Sequence, residues 1–189
     1  MEVLRLILFS GLILHKLLWE VMKRKERSGI HQPQFRLSLK SLVKSFKVFV
    51  LAFLVIQTLF LDLFAISGQP AILQVIGTTI YFVGLGMAVI ARVQLGRSWV
   101  NMEDYQVLPK QSLVASGVYR YIRHPIYTGD ILLLFGLELA LNSWLVLGVF
   151  LPLFIVIKQA LAEENLLSQA IPAYKAYCSR TKRFIPFIL

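Results

Sequence analysis

Long apolar runs are the feature that most constrains the fold of this chain. They cover residues 3–22, 46–66 and 71–95, and a longer block follows at 126–160. A helix needs about 20 apolar residues to cross a bilayer. Because 57% of the 189 residues are hydrophobic and only 16% are charged, the composition is far from that of a soluble domain. These features predict an all-α, polytopic membrane helix bundle.

The last apolar block is too long for a single span and contains its own turn. Its middle reads ALNSW, in which Asn142 and Ser143 are polar turn residues. We therefore expect two short helices, at about 126–141 and 144–163, that fold back as a hairpin. Together with the three earlier runs they make about five transmembrane helices.

The first run is the weakest candidate for a span. Four charged or polar side chains interrupt it, namely Arg5, His15, Lys16 and Glu20. Residues 3–22 therefore either cross the membrane or lie on its surface. The run lacks the features of a cleaved signal peptide, and we expect a retained anchor. The chain is then a single membrane domain, 1–189, that ends in a cytoplasmic segment at 165–189.

The basic residues predict the orientation. Eighteen of the 20 Lys and Arg lie in the segments 23–47, 92–123 and 158–183. By the positive-inside rule these segments and the C-terminus are cytoplasmic, and the N-terminus is outside. The net charge of +10 also favours contact with anionic lipid headgroups. We predict a multi-pass protein of the cytoplasmic (inner) membrane, with the endoplasmic reticulum as an open alternative, that contacts membrane lipids and no nucleic acid.

Metal binding is not expected. The one cysteine, Cys178, has no cysteine partner and no histidine at zinc-ligand spacing. His15 and His31 lie in different segments of the chain. We therefore predict that the protein has no metal site.

The stretch YRYIRHPIYTGD, residues 119–130, concentrates charge in front of a proline. Pro125 suits the first turn of a helix, so Arg123 and His124 are expected at that helix's N-terminus. This end carries a partial positive charge and free N–H donors, which favour an anionic group. The alternative is that the arginines anchor the helix to headgroups while tyrosines form an aromatic belt. Those tyrosines are Tyr119, Tyr121 and Tyr127.

Two adjacent carboxylates, Glu163 and Glu164, end the second arm of the predicted hairpin. From His124 to Asn142 is 18 residues, and from Ser143 to Glu163 is 20. At about 1.5 Å per residue the arms have nearly equal length, so the hairpin brings His124 close to Glu163. Adjacent helical side chains point about 100° apart, so one glutamate can face inward. A solvated helix end is the alternative.

The third run contains small residues that allow close approach. Gly84, Gly86 and Ala88 form a groove that another backbone or a flat ligand can enter. Helix packing alone is the favoured interpretation of this piece.

Residues 77–187 resemble the membrane methyltransferase superfamily that includes isoprenylcysteine carboxyl methyltransferase and phosphatidylethanolamine N-methyltransferase, in a prokaryotic-type five-helix form. The matching pieces are the GLG of the third run, ARVQLGRSW, GVYRYIRHPIYTG, the glutamate pair and AYKAYCSRTKRFIP. The resemblance implies S-adenosylmethionine as methyl donor, bound at the cytoplasmic ends of the last helices.

The resemblance also implies roles for individual residues. It assigns to the cofactor pocket Gly84, Gly86, Tyr119, Arg123, His124, Pro125, Tyr127, Glu163 and Glu164. Arg183 is expected to contact an anionic headgroup or acceptor carboxylate, with membrane anchoring as its alternative. An amine acceptor must lose a proton, and then Glu164, His124 or Tyr127 becomes the base. The catalytic candidates are therefore Arg183, Tyr127 and Glu164.

The expected function is methylation of a lipid-like or prenylated acceptor, at a carboxyl group of the isoprenylcysteine type. Phospholipid amine N-methylation is one alternative. A second is an NADPH-dependent relative of sterol or steroid reductases, which share an RHPxYxGD element, matched here through Asp130, and a YC pair, matched by Tyr177 and Cys178. A third is a non-catalytic membrane subunit. The sequence leaves the acceptor and the oligomeric state open.

Overall fold

A computed structural model describes residues 2–27, 39–98 and 113–187. Within these ranges the chain is helical, and β-pairing is limited to two isolated bridges. The predicted all-α class is therefore confirmed. The helices belong to two compact units, Met1–Leu63 and Phe64–Leu189.

The first unit is a pair of helices, α1 (Glu2–Arg27) and α2 (Leu39–Phe60). Arg5 is buried and donates from Nη1 to the carbonyl oxygens of Gln57 and Thr58, at 3.2 and 3.1 Å. Its Nη2 donates to the carbonyl of Leu61 at 3.2 Å and pairs with Asp62. Carbonyls at the end of a helix lack intrahelical donors and carry partial negative charge. Arg5 of α1 thus caps the C-terminal end of α2.

The second unit contains the remaining helices. They are α3 (Ala71–Leu95), α4 (Pro125–Ala140), α5 (Phe150–Ala170) and α6 (Tyr174–Arg180), with 3₁₀ turns at Gly96–Ser98, Gly117–Arg120 and Trp144–Val149. Helix α3 ends at Leu95, and the next residue, Gly96, has a φ of 51°, a positive value that favours glycine. Helix α4 begins with Pro125 at its first position and His124 as N-cap residue, as the sequence predicts.

Helices α3 and α4 pack against each other through glycines. A Cβ atom on Gly84 of α3 would lie 2.4 Å from the backbone nitrogen of Leu133, and one on Gly129 of α4 would lie 2.6 Å from that of Ala88. The same close contact occurs at Gly77 and Gly136. Small residues let two helix backbones approach in this way. Gly86 does not take part, since a Cβ atom added there would have nothing within 4 Å.

The turn after α4 forms around Asn142, as expected from the polar ALNSW sequence. Asn142 adopts a φ of 56°, which asparagine tolerates better than most residues. Its side-chain amide accepts from the backbone N–H of Ser67 at 3.0 Å and donates to the Ser67 carbonyl at 2.8 Å. Helix α4 packs mainly along α3 and only sparsely along α5. The predicted hairpin of two closely packed arms therefore stays a prediction.

Several helix bounds differ from those expected from the apolar runs. Helix α2 ends at Phe60 rather than near 66, because the following residues pair with the turn: Phe64 O accepts from Trp144 N at 2.8 Å, and Ile66 N donates to Asn142 O at 2.9 Å. Helix α5 continues past 163 to Ala170 and stops two residues before Pro172, where a proline disfavours helix.

The long apolar helices are those of a membrane protein. Within the part of the chain that the structure describes, α3 and the stretch Trp144–Ala170 are long and apolar enough to cross a membrane, and Val48–Phe60 is a shorter apolar helix. Large apolar side chains on these helices are exposed, including Phe53, Val83 and Phe154. Lipid tails would cover such faces. The count of five spans stays a prediction.

Candidate functional site

The site forms where three parts of the second unit meet. The start of α4 contributes Arg123, His124 and Tyr127, the last turns of α5 contribute Glu163 and Glu164, and the segment after α6 contributes Arg183. Six residues that the sequence predicts for the site are therefore neighbours in space.

Arg123 is a buried cation whose guanidinium donates from both Nε and Nη1. Its Nε donates to Glu164 Oε1 at 2.8 Å, and the two side chains are only 7% and 10% exposed. Nη1 donates to the carbonyl of Cys178 at 3.1 Å and also to the carbonyl of Thr181. Arg123 therefore links the start of α4 to α5, to α6 and to the segment after α6.

Glu164 lies at the centre of the cluster. Besides Arg123, its carboxylate contacts His124 Nε2 at 3.2 Å and Arg183 Nε at 3.1 Å. A buried carboxylate is stable in its charged form when it accepts several charge-assisted hydrogen bonds. Glu164 is therefore a charged hub that positions three neighbouring side chains.

Glu163 is the more accessible of the two carboxylates, with 39% of its side chain exposed. Tyr127 donates its hydroxyl to Glu163 Oε2 at 3.0 Å, and His124 Nδ1 lies 4.0 Å from the same oxygen. The His124 ring thus lies between the two carboxylates. It stacks on Tyr127 with 5.6 Å between centroids and 9° between planes, and Phe184 lies beside its ring at 5.7 Å.

The segment after α6 is held against the base of α4 by its backbone. Arg123 N donates to Lys182 O at 2.8 Å, His124 N donates to Arg183 O at 3.0 Å, and Lys182 N donates to Tyr121 O at 3.1 Å. Residues Ile122 and Lys182 form a parallel bridge. Sequence reasoning missed Thr181 and Phe184 because backbone pairing of this kind has no side-chain signature.

A group of buried tyrosines packs next to the site, in α6 and in the 3₁₀ turn before α4. Tyr177 of α6 donates its hydroxyl to the carbonyl of Tyr119 at 2.7 Å, and burial raises the pKa of Tyr177 to about 12. Burial also raises the pKa of the neighbouring Cys178 thiol, which Arg123 partly offsets. Tyr119 and Tyr174 are buried as well. These tyrosines are neutral packing elements at physiological pH.

The remaining predicted residues take other positions. Pro125 is the first residue of α4. Gly84 lies within the contact between α3 and α4, where the α4 backbone occupies the space that a side chain would need. Gly86 is half-buried on α3 with open space beside it. Gly84 therefore takes part in helix packing, the favoured interpretation of its sequence, and the role of Gly84 and Gly86 in a cofactor pocket stays a prediction.

The chain is similar to several known proteins. The sequence model of the family described as phospholipid methyltransferase matches residues 72–172. The cobalt-zinc-cadmium resistance protein CzcN of Cupriavidus metallidurans is 31% identical over 104 residues, which are 54% of this chain and 48% of that protein. The chain thus spans about half the length of this curated relative.

A solved structure shares the fold. The eukaryotic intramembrane Ras methyltransferase ICMT, an isoprenylcysteine carboxyl methyltransferase, superposes with a TM-score of 0.63 at 20% identity, over 98% of this chain and 68% of that one. The family match runs from the start of α3 to the end of α5 and includes the RHP motif and both glutamates of the site. With more than half of its residues matched, the chain belongs to the phospholipid methyltransferase family.

Proposed function

We propose that this protein is a membrane methyltransferase that uses S-adenosylmethionine to methylate a lipid-like acceptor. The observation that carries the proposal is the accessible carboxylate of Glu163, which lies beside the stacked rings of His124 and Tyr127 and close to the buried Glu164. The family match supports the reaction class.

The residues present fit this cofactor. S-adenosylmethionine carries a sulfonium, an ammonium and two ribose hydroxyls, and each of these groups is complementary to a carboxylate. Glu163 would hold one of them, because its side chain is 39% exposed while Glu164 is only 10% exposed. The aromatic faces of His124 and Tyr127 offer a flat, partly apolar wall for a ring or a cation. The cofactor supplies the methyl group for an in-line displacement that needs no covalent enzyme intermediate.

The roles of the two glutamates then differ. Glu164 already contacts Arg123, His124 and Arg183, so it acts as a positioning residue rather than as a base. Glu163 and Tyr127 are the groups that touch the ligand. Their shared hydrogen bond of 3.0 Å fixes the carboxylate, so less conformational entropy is lost when the ligand binds.

We propose a carboxylate as the acceptor group, of the isoprenylcysteine type. Arg183 is 44% exposed and is anchored to Glu164 through Nε, so the rest of its guanidinium is within reach of an anionic acceptor. Such an acceptor needs no base. An amine acceptor is the second candidate, and the exposed Glu163 paired with Tyr127 favours it, because together they could accept the amine proton.

The membrane arrangement we propose has about five spans, with the N-terminus outside and the C-terminus in the cytoplasm. The positive-inside distribution of Lys and Arg supports it. The site lies at the start of α4 and the end of α5, which this orientation places at the cytoplasmic face. A soluble cofactor could then enter from the cytoplasm while a hydrocarbon tail enters from the bilayer.

The first test is calorimetric titration of the purified protein in nanodiscs with S-adenosylmethionine and, separately, with NADPH. Binding of S-adenosylmethionine alone supports the proposal, and binding of NADPH alone would replace it with the reductase alternative. The pH profile of kcat/KM separates the acceptors. An amine acceptor gives a rate that rises with pH until its base is deprotonated, whereas a carboxylate acceptor gives a flat profile above about pH 5.

A further inference from the structure

Cations and exposed aromatic rings lie together on the surface beside the site. Arg120, Arg180 and Lys182 are exposed. Tyr121, Ile185 and Phe187 are exposed as well, with Phe187 82% exposed. We call these six residues the basic aromatic strip.

Two contacts join parts of the strip that are distant in sequence. Lys182 N donates to Tyr121 O at 3.1 Å, and the rings of Tyr121 and Phe187 meet edge to face with 6.5 Å between centroids. The other three members are close to these residues in the sequence: Arg120 precedes Tyr121, Arg180 is two residues before Lys182, and Ile185 is two residues before Phe187. The charged residues of the strip are all cations, and neither of the two described segments that contain it, 113–123 and 165–187, has an Asp or Glu.

This combination fits a membrane–water boundary. Exposed large apolar side chains in contact with one another are unfavourable in water. At a membrane surface, tyrosine favours the headgroup level, phenylalanine can enter the acyl boundary, and Arg and Lys reach the phosphates. Clustered Lys and Arg side chains favour headgroups whose phosphate has no cation of its own. We propose that the basic aromatic strip binds the anionic phospholipid face of the membrane.

Lipid contact at the strip would act on the site through the backbone. The carbonyls of Lys182 and Arg183 accept hydrogen bonds from Arg123 N and His124 N, at 2.8 and 3.0 Å. A lipid phosphate held by the Lys182 side chain therefore restrains the segment that closes the site. The lipid contact does not depend on the proposed function; only its effect on cofactor affinity does.

The test is hydrogen exchange of the full-length protein in two kinds of nanodisc. One contains phosphatidylcholine alone, and the other contains equal parts of phosphatidylcholine and phosphatidylglycerol. We expect the amides of residues 174–187 to exchange several-fold more slowly with phosphatidylglycerol, and added salt to weaken this effect. Equal exchange in the two discs would overturn the proposal, and this comparison requires no variant. Equal protection by inorganic phosphate in phosphatidylcholine discs would also overturn it, since a free anion would then suffice.

Two variants test which side chains are responsible. Arg120→Gln/Arg180→Gln/Lys182→Gln should lose the protection, and Tyr121→Ser/Phe187→Ser should reduce it. The matched control, Lys16→Gln/Lys23→Gln/Arg24→Gln, removes three positive charges from α1 and should keep it. Loss of protection in the control as well would mean that net charge, and not the strip, attracts the lipid. Cofactor affinity measured in the same discs reports the coupling separately.

Discussion

Arg123 and Glu164 form an ion pair of 2.8 Å although they lie 41 residues apart in the sequence. The pair joins the base of α4 to the last turns of α5. Both side chains are almost completely buried, so neither charge can exchange its partner for water. This contact therefore helps to hold the site residues of α4 and α5 together.

Arg123→Gln should destabilise the second unit strongly. It leaves the buried Glu164 carboxylate with fewer partners and removes the donors to the Cys178 and Thr181 carbonyls. Breaking a buried ion pair costs about 3–5 kcal/mol. Thermal unfolding in detergent measures the loss. Arg24→Gln is the control, because Arg24 pairs with Glu20 at 3.4 Å on the surface, and its Tm should not change. Equal Tm values for Arg123→Gln and wild type would contradict the assigned role.

Glu163→Gln and Glu164→Gln should separate binding from folding. Glu163 is accessible, so its variant should keep the wild-type Tm and bind S-adenosylmethionine roughly tenfold to a hundredfold more weakly, as a lost charged hydrogen bond of about 1.5–3 kcal/mol predicts. Glu164 is a buried hub, so its variant should lose Tm as well. Calorimetric titration combined with thermal unfolding checks both. Normal affinity in Glu163→Gln would remove Glu163 from the pocket.

Gly84→Ala should destabilise the contact between α3 and α4. The added Cβ would meet the Leu133 backbone nitrogen at 2.4 Å, and overpacking of this kind costs about 1–3 kcal/mol. Gly86→Ala is a matched control two residues away, where the added atom meets open space, and it should leave Tm unchanged or slightly raised. If both variants lower Tm equally, helix packing does not explain Gly84.

Cys178 should react slowly with iodoacetamide at neutral pH. Burial raises the pKa of its thiol, and Arg123 only partly offsets this, so the reactive thiolate forms at higher pH than in an unfolded chain, where the pKa is about 8.5. Cys178 is the only cysteine, so the alkylation rate reports it directly. The midpoint of rate against pH should be higher in the folded protein than in denaturant. Equal midpoints would show that the thiol is not shielded.

The sequence predicts that several residues of the candidate site lie close together, because this proximity depends on side-chain types at regular spacing. Pro125 indicates where α4 begins, and the nearly equal length of the two predicted hairpin arms predicts that His124 lies near Glu163. The structure has His124 Nδ1 4.0 Å from Glu163 Oε2, although the hairpin packing itself stays a prediction. The role of Glu164 as a hub was not predictable, because it depends on which face of α5 turns toward Arg123. The contact of Lys182 and Arg183 with the start of α4 is made by their backbone carbonyls. Every residue has a backbone carbonyl, so no residue pattern predicts this contact.

Arg5→Gln should weaken the first unit without changing the second. Arg5 supplies hydrogen bonds to three carbonyls at the end of α2, and glutamine cannot reach them with the same fork of donors. Buried carbonyls that lose such donors cost about 1–3 kcal/mol. Hydrogen exchange of the last turn of α2 should therefore accelerate, while exchange in α4 should stay constant. Asp62→Asn is the control, because the Asp62 side chain is 76% exposed and its loss leaves the carbonyl contacts in place. Faster exchange in α2 for Asp62→Asn to the same degree would mean that the ion pair, and not the cap, holds the two helices together.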